Sequence, residues 1–122
     1  MDRAPAENVS PRPVTVVALV TAYCPCRRCC DPFSDGLTST GRNAWMPGIA
    51  AAPKVLPYGS IVTVPGYGTA VVDDTGPAMR RSWEEGSVAH LDVRFSHHQE
   101  AQEWGRRVLK VEILIPPDAA RP

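Results

Sequence analysis

A chain of 122 residues, 43% of them hydrophobic, holds enough material for one domain around one modest core and too little for two. Thirteen basic and thirteen acidic side chains cancel, which argues against the basic face of an electrostatic nucleic-acid binder and for an uncharged or mixed-charge partner. The longest apolar run, VTVVALV at 14–20, is far short of the roughly 20 residues that cross a bilayer as a helix, so no membrane span is expected.

Residues 1–13 are polar, carry three prolines and lack an apolar signal core. They read as a disordered lead-in, and PPDAARP at 116–122 as a similar tail, leaving a domain over 14–115. VTVVALVTAY at 14–23 is β-branched and opens the domain as a strand. YCPCRRCC follows and packs all four cysteines, Cys24, Cys26, Cys29 and Cys30, into one loop. Local disulfides are the expected state in an oxidising compartment. The alternative is a metal held by the CxxC of Cys26 and Cys29, but four ligands from one tight loop, two of them adjacent, are sterically awkward.

Further strand signals follow at SIVTV (60–64), TAVVDD (69–74), AHLDVRF (89–95) and VLKVEILI (108–115), separated by MPG, LPYGS, VPGYG and DTGP. Period-two alternation puts Leu91, Val93 and Phe95 on the core side of AHLDVRF and His90, Asp92 and Arg94 on the other. In AVVDDTG, Asp73 and Asp74 point to opposite sides, so only one of them is expected in any site. SHHQEAQEWGRR at 96–107 reads as the one helix: Ser96 with Gln99 three residues later gives a capping box, and Ala101 and Trp104 face the core. Short strands, tight turns and one short helix point to a small all-β barrel.

The order of motifs is specific: TAYCPCRRCC, DGLTSTGR, GIAAAPKVLPYGSIVTVPGYGTAVVDDTG, HLDVRF and EAQEWGRRVLKVEIL. Together they resemble the three-aspartate (3D) domain, a family related to the barrel of lytic transglycosylase A and to stationary-phase survival proteins. The resemblance implies a six-stranded double-psi β-barrel. It also implies cleavage of peptidoglycan glycan strands at the MurNAc–GlcNAc bond, leaving 1,6-anhydro-MurNAc ends.

Carried over by position, the family's DTG aspartate is Asp74, and the aspartate of its following strand, the acid/base, is Asp92. The TG hydroxyl is Thr40, placed to bond Asp92 or substrate. Gly76 of the DTG turn joins Thr40 as a substrate contact, and Tyr58 and Tyr67 are candidate sugar-stacking platforms. The sequence departs from the family pattern in three places. Ala52 stands where the family has its first aspartate, Pro77 follows the DTG, and the spacer between Asp74 and Asp92 is long. Ala52 supports the alternative of a non-catalytic glycan-binding barrel. The resemblance further implies an extracytoplasmic protein whose partner is the glycan strand; a monomer with no cofactor and no assigned metal is expected.

Overall fold

The computed structural model describes residues 12–26 and 36–117. Most of the expected lead-in, the expected tail beyond residue 117, and Cys29 and Cys30 lie outside the described residues. The strands are β1 (Val14–Tyr23), β2 (Ile49–Ala50), β3 (Ile61–Val64), β4 (Gly68–Asp74), β5 (His90–Arg94) and β6 (Arg107–Leu114). They close into a barrel in the order β1-β5-β2-β4-β3-β6.

The order is not sequential because two strand pairs, β1–β5 and β2–β4, are parallel and need crossovers. Advancing each strand by three (β1 to β4, β2 to β5, β3 to β6) returns the same circular order and exchanges the two parallel pairs. That internal two-fold is the arrangement expected of a double-psi barrel.

Closure leaves no free sheet edge. Alternate residues fill the interior: Ala18 and Val20 from β1, Val62 and Val64 from β3, Val72 from β4, Leu91 and Val93 from β5, and Val111 and Ile113 from β6. The five strand signals in the sequence are all present, with ends shifted by a residue. β2 was not legible, because two residues inside GIAAAP are too few to show an alternation.

Among the described residues two helices pack on the barrel where one was expected. α1 (Pro77–Gly86) fills the spacer between Asp74 and Asp92. Pro77 starts it: proline suits the first helical position, where its missing N–H has no partner to lose. The sequence departure at Pro77 is thus a helix start. α2 (His98–Trp104) is shorter than the expected 96–107. Its N-cap is His97 with no side-chain cap bond, so the Ser96–Gln99 capping box does not form. Ala101 and Trp104 are buried as expected, and the Trp104 indole N–H donates to the carbonyl of Val20 at 3.1 Å, fixing α2 to β1.

Candidate functional site

A single row across the outer face of the sheet places the two carboxylates. Thr21 on β1 pairs with Asp92 on β5, Asp92 pairs with Ala50 on β2, and Ala50 pairs with Asp74 on β4. Asp92 and Asp74 therefore lie on strands separated by β2, not on adjacent ones, with Cα atoms about 10 Å apart at ordinary strand spacing. Ala50 between them has only a methyl group, which leaves the space open. Asp74, Asp92 and Ala50 line one groove of about 590 Å³. Its walls are Tyr23 and Pro25 at the end of β1, residues 36–39 and Ala44, and the start of α1 with Thr75, Gly76 and Pro77.

Asp74 accepts four hydrogen bonds: from the Tyr23 hydroxyl at 2.8 Å, the Ser39 backbone N–H at 2.9 Å, the Ser39 hydroxyl at 2.6 Å and the Thr75 backbone N–H at 2.9 Å. All four partners are donors, which is the arrangement an ionised carboxylate needs. Asp92 has a different environment. Burial, opposed by a hydrogen bond donated by Thr21 at 3.0 Å and reinforced by the charge of Asp74, pushes its pKa up from 3.8 to about 6. Desolvation is the main cause and the neighbouring carboxylate a lesser one. The groove thus holds two chemically identical groups in two different surroundings.

Each carboxylate is anchored by a chain of hydrogen bonds running into the protein. Behind Asp92, Thr21 meets His90 Nε2 at 2.8 Å, and His90 Nδ1 meets the Ser82 hydroxyl of α1 at 2.9 Å. The single Thr21 proton goes to Asp92, so His90 Nε2 is the donor and Nδ1 accepts from Ser82. Burial lowers the His90 pKa, which keeps the ring neutral. Behind Asp74, Tyr23 accepts from Arg94 Nη1 at 3.1 Å, and Arg94 pairs bidentately with Asp73 at 2.8 Å on both arms. Burial and the Asp74 charge raise the Tyr23 pKa, so the phenol stays a donor.

The expectation that Asp73 and Asp74 part company is met: Asp73 is 2% exposed and faces Arg94, itself 1% exposed. The Arg94 Nε also donates to the carbonyl of Met46 at 2.8 Å. Gly48 is required here, since a Cβ at that position would sit 2.1 Å from Arg94 Nη2 and 2.7 Å from Asp73. His90, Asp92 and Arg94 share a face as the alternation predicts, but α1 and residues 36–48 cover it, so His90 and Arg94 are buried.

Other sequence candidates are placed differently. Thr40 does not touch Asp92; its hydroxyl donates to the backbone carbonyl of Asp73 at 2.8 Å and meets the Thr38 hydroxyl at 3.0 Å. It ties the turn of 37–43 to β4, which is what sets Ser39 over Asp74. Gly76 does line the groove, as the N-cap of α1. Tyr58 and Tyr67 do not line it. Tyr67 packs edge-on against Phe95 at 5.2 Å and donates to the Arg94 carbonyl, a structural role.

Ala52 is buried at the start of a turn, where its carbonyl accepts from the N–H groups of Val55 and Leu56. Cys24 and Cys26 form no disulfide with one another; their Sγ atoms are 2.6 Å apart, and His98 Nδ1 lies 3.7 Å and 3.5 Å from them. Thr21, Tyr23 and Ser39 are the neighbours of the two carboxylates that sequence reasoning did not single out; His90 was placed on the Asp92 face, but not its bond to Thr21. The register of β1 against β5 could have pointed to Thr21, had the parallel pairing been known.

Replacing Thr21 by valine keeps the shape and removes the one hydrogen bond that favours ionised Asp92. Thr21→Val is expected to move the Asp92 pKa further up, read as an upward shift of the Asp92 carboxyl resonance midpoint in an NMR titration. The raised pKa also sets the sign of a stability effect. Folded Asp92 holds its proton where the unfolded chain has lost it, so stability falls as pH rises from about 4 to about 6. Thermal melting of wild type across that window should show the fall, and Asp92→Asn should flatten it.

The fold is a small closed β-barrel with two carboxyl groups in one groove. Residues 48–115, more than half of the chain, match the 3D domain, and the chain belongs to that family. It is 39% identical over 66 residues to YabE of Bacillus subtilis (strain 168), named for cell wall shaping; the match covers 54% of this chain and 14% of that protein. It is 35% identical over 83 residues to the cell wall-binding protein YocH of the same organism, covering 65% of this chain and 26% of that protein. The chain thus spans about a quarter or less of these relatives.

Proposed function

We propose that the domain acts outside the cytoplasm on the glycan strands of peptidoglycan as a lytic transglycosylase, with Asp92 as the single acid/base. The observation that carries this reading is the pair of unlike carboxyl groups in one groove: Asp92 pushed up to about 6, and Asp74 ringed by four donors. The cell wall names of the two relatives supply the polymer class.

A hydrolytic glycosidase needs two reacting carboxyls about 5–9 Å apart. Here one suffices, because the substrate's own C6 hydroxyl takes the place of water. Protonated Asp92 donates its proton to the glycosidic oxygen as the C1–O bond breaks. Its carboxylate then accepts the C6 hydroxyl proton as O6 bonds to C1, which closes the anhydro ring and returns the acid. A group near its operating pH serves both steps. Asp74 does not react; it raises the Asp92 pKa and orients the donors around it.

A non-catalytic glycan-binding barrel is the second reading, favoured by Ala52 and by the binding name of one relative. Incubation with purified peptidoglycan separates the two. Soluble fragments with anhydro ends, lighter by one water than hydrolysis products, support cleavage. Retention on the insoluble polymer with no soluble fragment supports binding alone.

A stacking aromatic for either reading is Trp45, which is 47% exposed and lines a second groove, with Tyr67 and Phe95, that holds neither Asp74 nor Asp92. Trp45→Ala should weaken retention on peptidoglycan by roughly 1–3 kcal/mol, on the scale of aromatic burial, with no change in melting temperature. Co-sedimentation against a peptidoglycan series measures it.

A further inference from the structure

We propose that Cys24, Cys26 and His98 form a site for a thiophilic divalent cation, zinc in preference to others, that fixes one wall of the groove. The three donor atoms lie within 4.8 Å of one another. His98 Nδ1 stands 3.7 Å from Cys24 Sγ and 3.5 Å from Cys26 Sγ. Zinc–sulfur bonds near 2.3 Å and zinc–nitrogen bonds near 2.0–2.1 Å, set tetrahedrally, place sulfur and nitrogen about 3.6 Å apart. Both sulfur–nitrogen separations are therefore already those of a filled site.

The two sulfurs, 2.6 Å apart, must open to about 3.8 Å, a movement within the reach of side-chain rotation. An imidazole nitrogen aimed at both sulfurs is the arrangement a cation uses and a Cys24–Cys26 disulfide does not. The donor set, two thiolates and an imidazole, is soft and suits zinc.

The steric objection to a metal was that one tight loop would have to supply every ligand. The fold removes it by bringing His98 from the start of α2, 74 residues from Cys24. Cys24 is fully buried, as in a structural site. The consequence for the groove is direct. Tyr23, which donates to Asp74, and Pro25, which lines the groove, adjoin Cys24. A cation bridging this segment to α2 would hold both in place. The described residues supply three of the four tetrahedral positions.

The test uses the full chain purified under reducing conditions, stripped with chelator and reloaded with Zn(II) alone or Co(II) alone. The expected result is one zinc per chain by elemental analysis. The Co(II) form should show thiolate-to-metal charge transfer and tetrahedral d–d bands, and zinc should raise the melting temperature. His98→Ala should lower zinc affinity by about a hundredfold or more, since losing even an outer partner of a ligand costs 10–100-fold. His98→Cys should restore binding and strengthen the charge-transfer band, which guards against a mere folding defect. The proposal is overturned if the reduced wild-type chain retains no metal or gives no charge-transfer band. It is equally overturned if His98→Ala binds zinc as tightly as wild type, or if intact mass shows a disulfide that persists through reduction.

Discussion

Asp92→Asn is expected to abolish release of anhydro-muropeptides while leaving the barrel intact. Asparagine keeps the size and one acceptor oxygen, but its amide N–H groups are not acidic enough to give up a proton to a leaving oxygen. General acid–base catalysis is worth about 10²–10⁴-fold, so the residual rate should fall by at least that factor. The same substitution removes a carboxylate that the fold ionises at a cost, so the variant should be more stable than wild type above pH 6, by up to about 3 kcal/mol. Loss of activity with gain of stability is a joint result that misfolding could not produce. Fragment release followed by mass spectrometry, with thermal melting at pH 7, reads both. Full activity in Asp92→Asn would remove Asp92 from the acid/base role.

The second large effect is structural. Arg94→Met is expected to destabilise the domain by about 3–5 kcal/mol, the cost of stranding one partner of a buried ion pair. Asp73 would keep a buried carboxylate with its bidentate partner gone and only the distant contact from Arg42 at 3.7 Å. The Met46 carbonyl and the Tyr23 hydroxyl would each lose a donor as well. The double variant Asp73→Leu, Arg94→Met removes both charges, and its loss should be smaller than that of Arg94→Met alone. Denaturant unfolding of the two variants decides the point. Equal losses would mean that the pair is not coupled.

The barrel was legible because its strands alternate or run β-branched over four or more residues, as in Val14–Tyr23 and Arg107–Leu114. Two elements were not, for different reasons. β2 is two residues long, and its place between β4 and β5 is decided by long-range pairing that no local pattern reports. α1 was hidden because Pro77 reads as a turn residue unless the helix behind it is already suspected.

Within the site, the two aspartates were legible as carboxylates interrupting apolar strands, and their shared groove follows from the row through Ala50. Their supporting residues were not. Thr21 and Tyr23 lie on β1, far from either aspartate in sequence, and reach them only through parallel pairing and the crossover. Thr40 was expected in the groove because its motif lies near it, yet its hydroxyl is used to fasten a turn. Tyr58 and Tyr67 were candidates by residue type, but an aromatic ring is as useful in packing as in stacking.

The central claim is that the groove keeps Asp92 protonated well above the ordinary carboxylate range beside an Asp74 held as an acceptor. Titration of the Asp92 side-chain carboxyl by carbon-13 NMR, in wild type and in Asp74→Asn, tests it most directly. The account predicts a midpoint near pH 6 in wild type and a lower one in Asp74→Asn, since the like charge is gone. A wild-type midpoint at the ordinary value near 3.8 would contradict it.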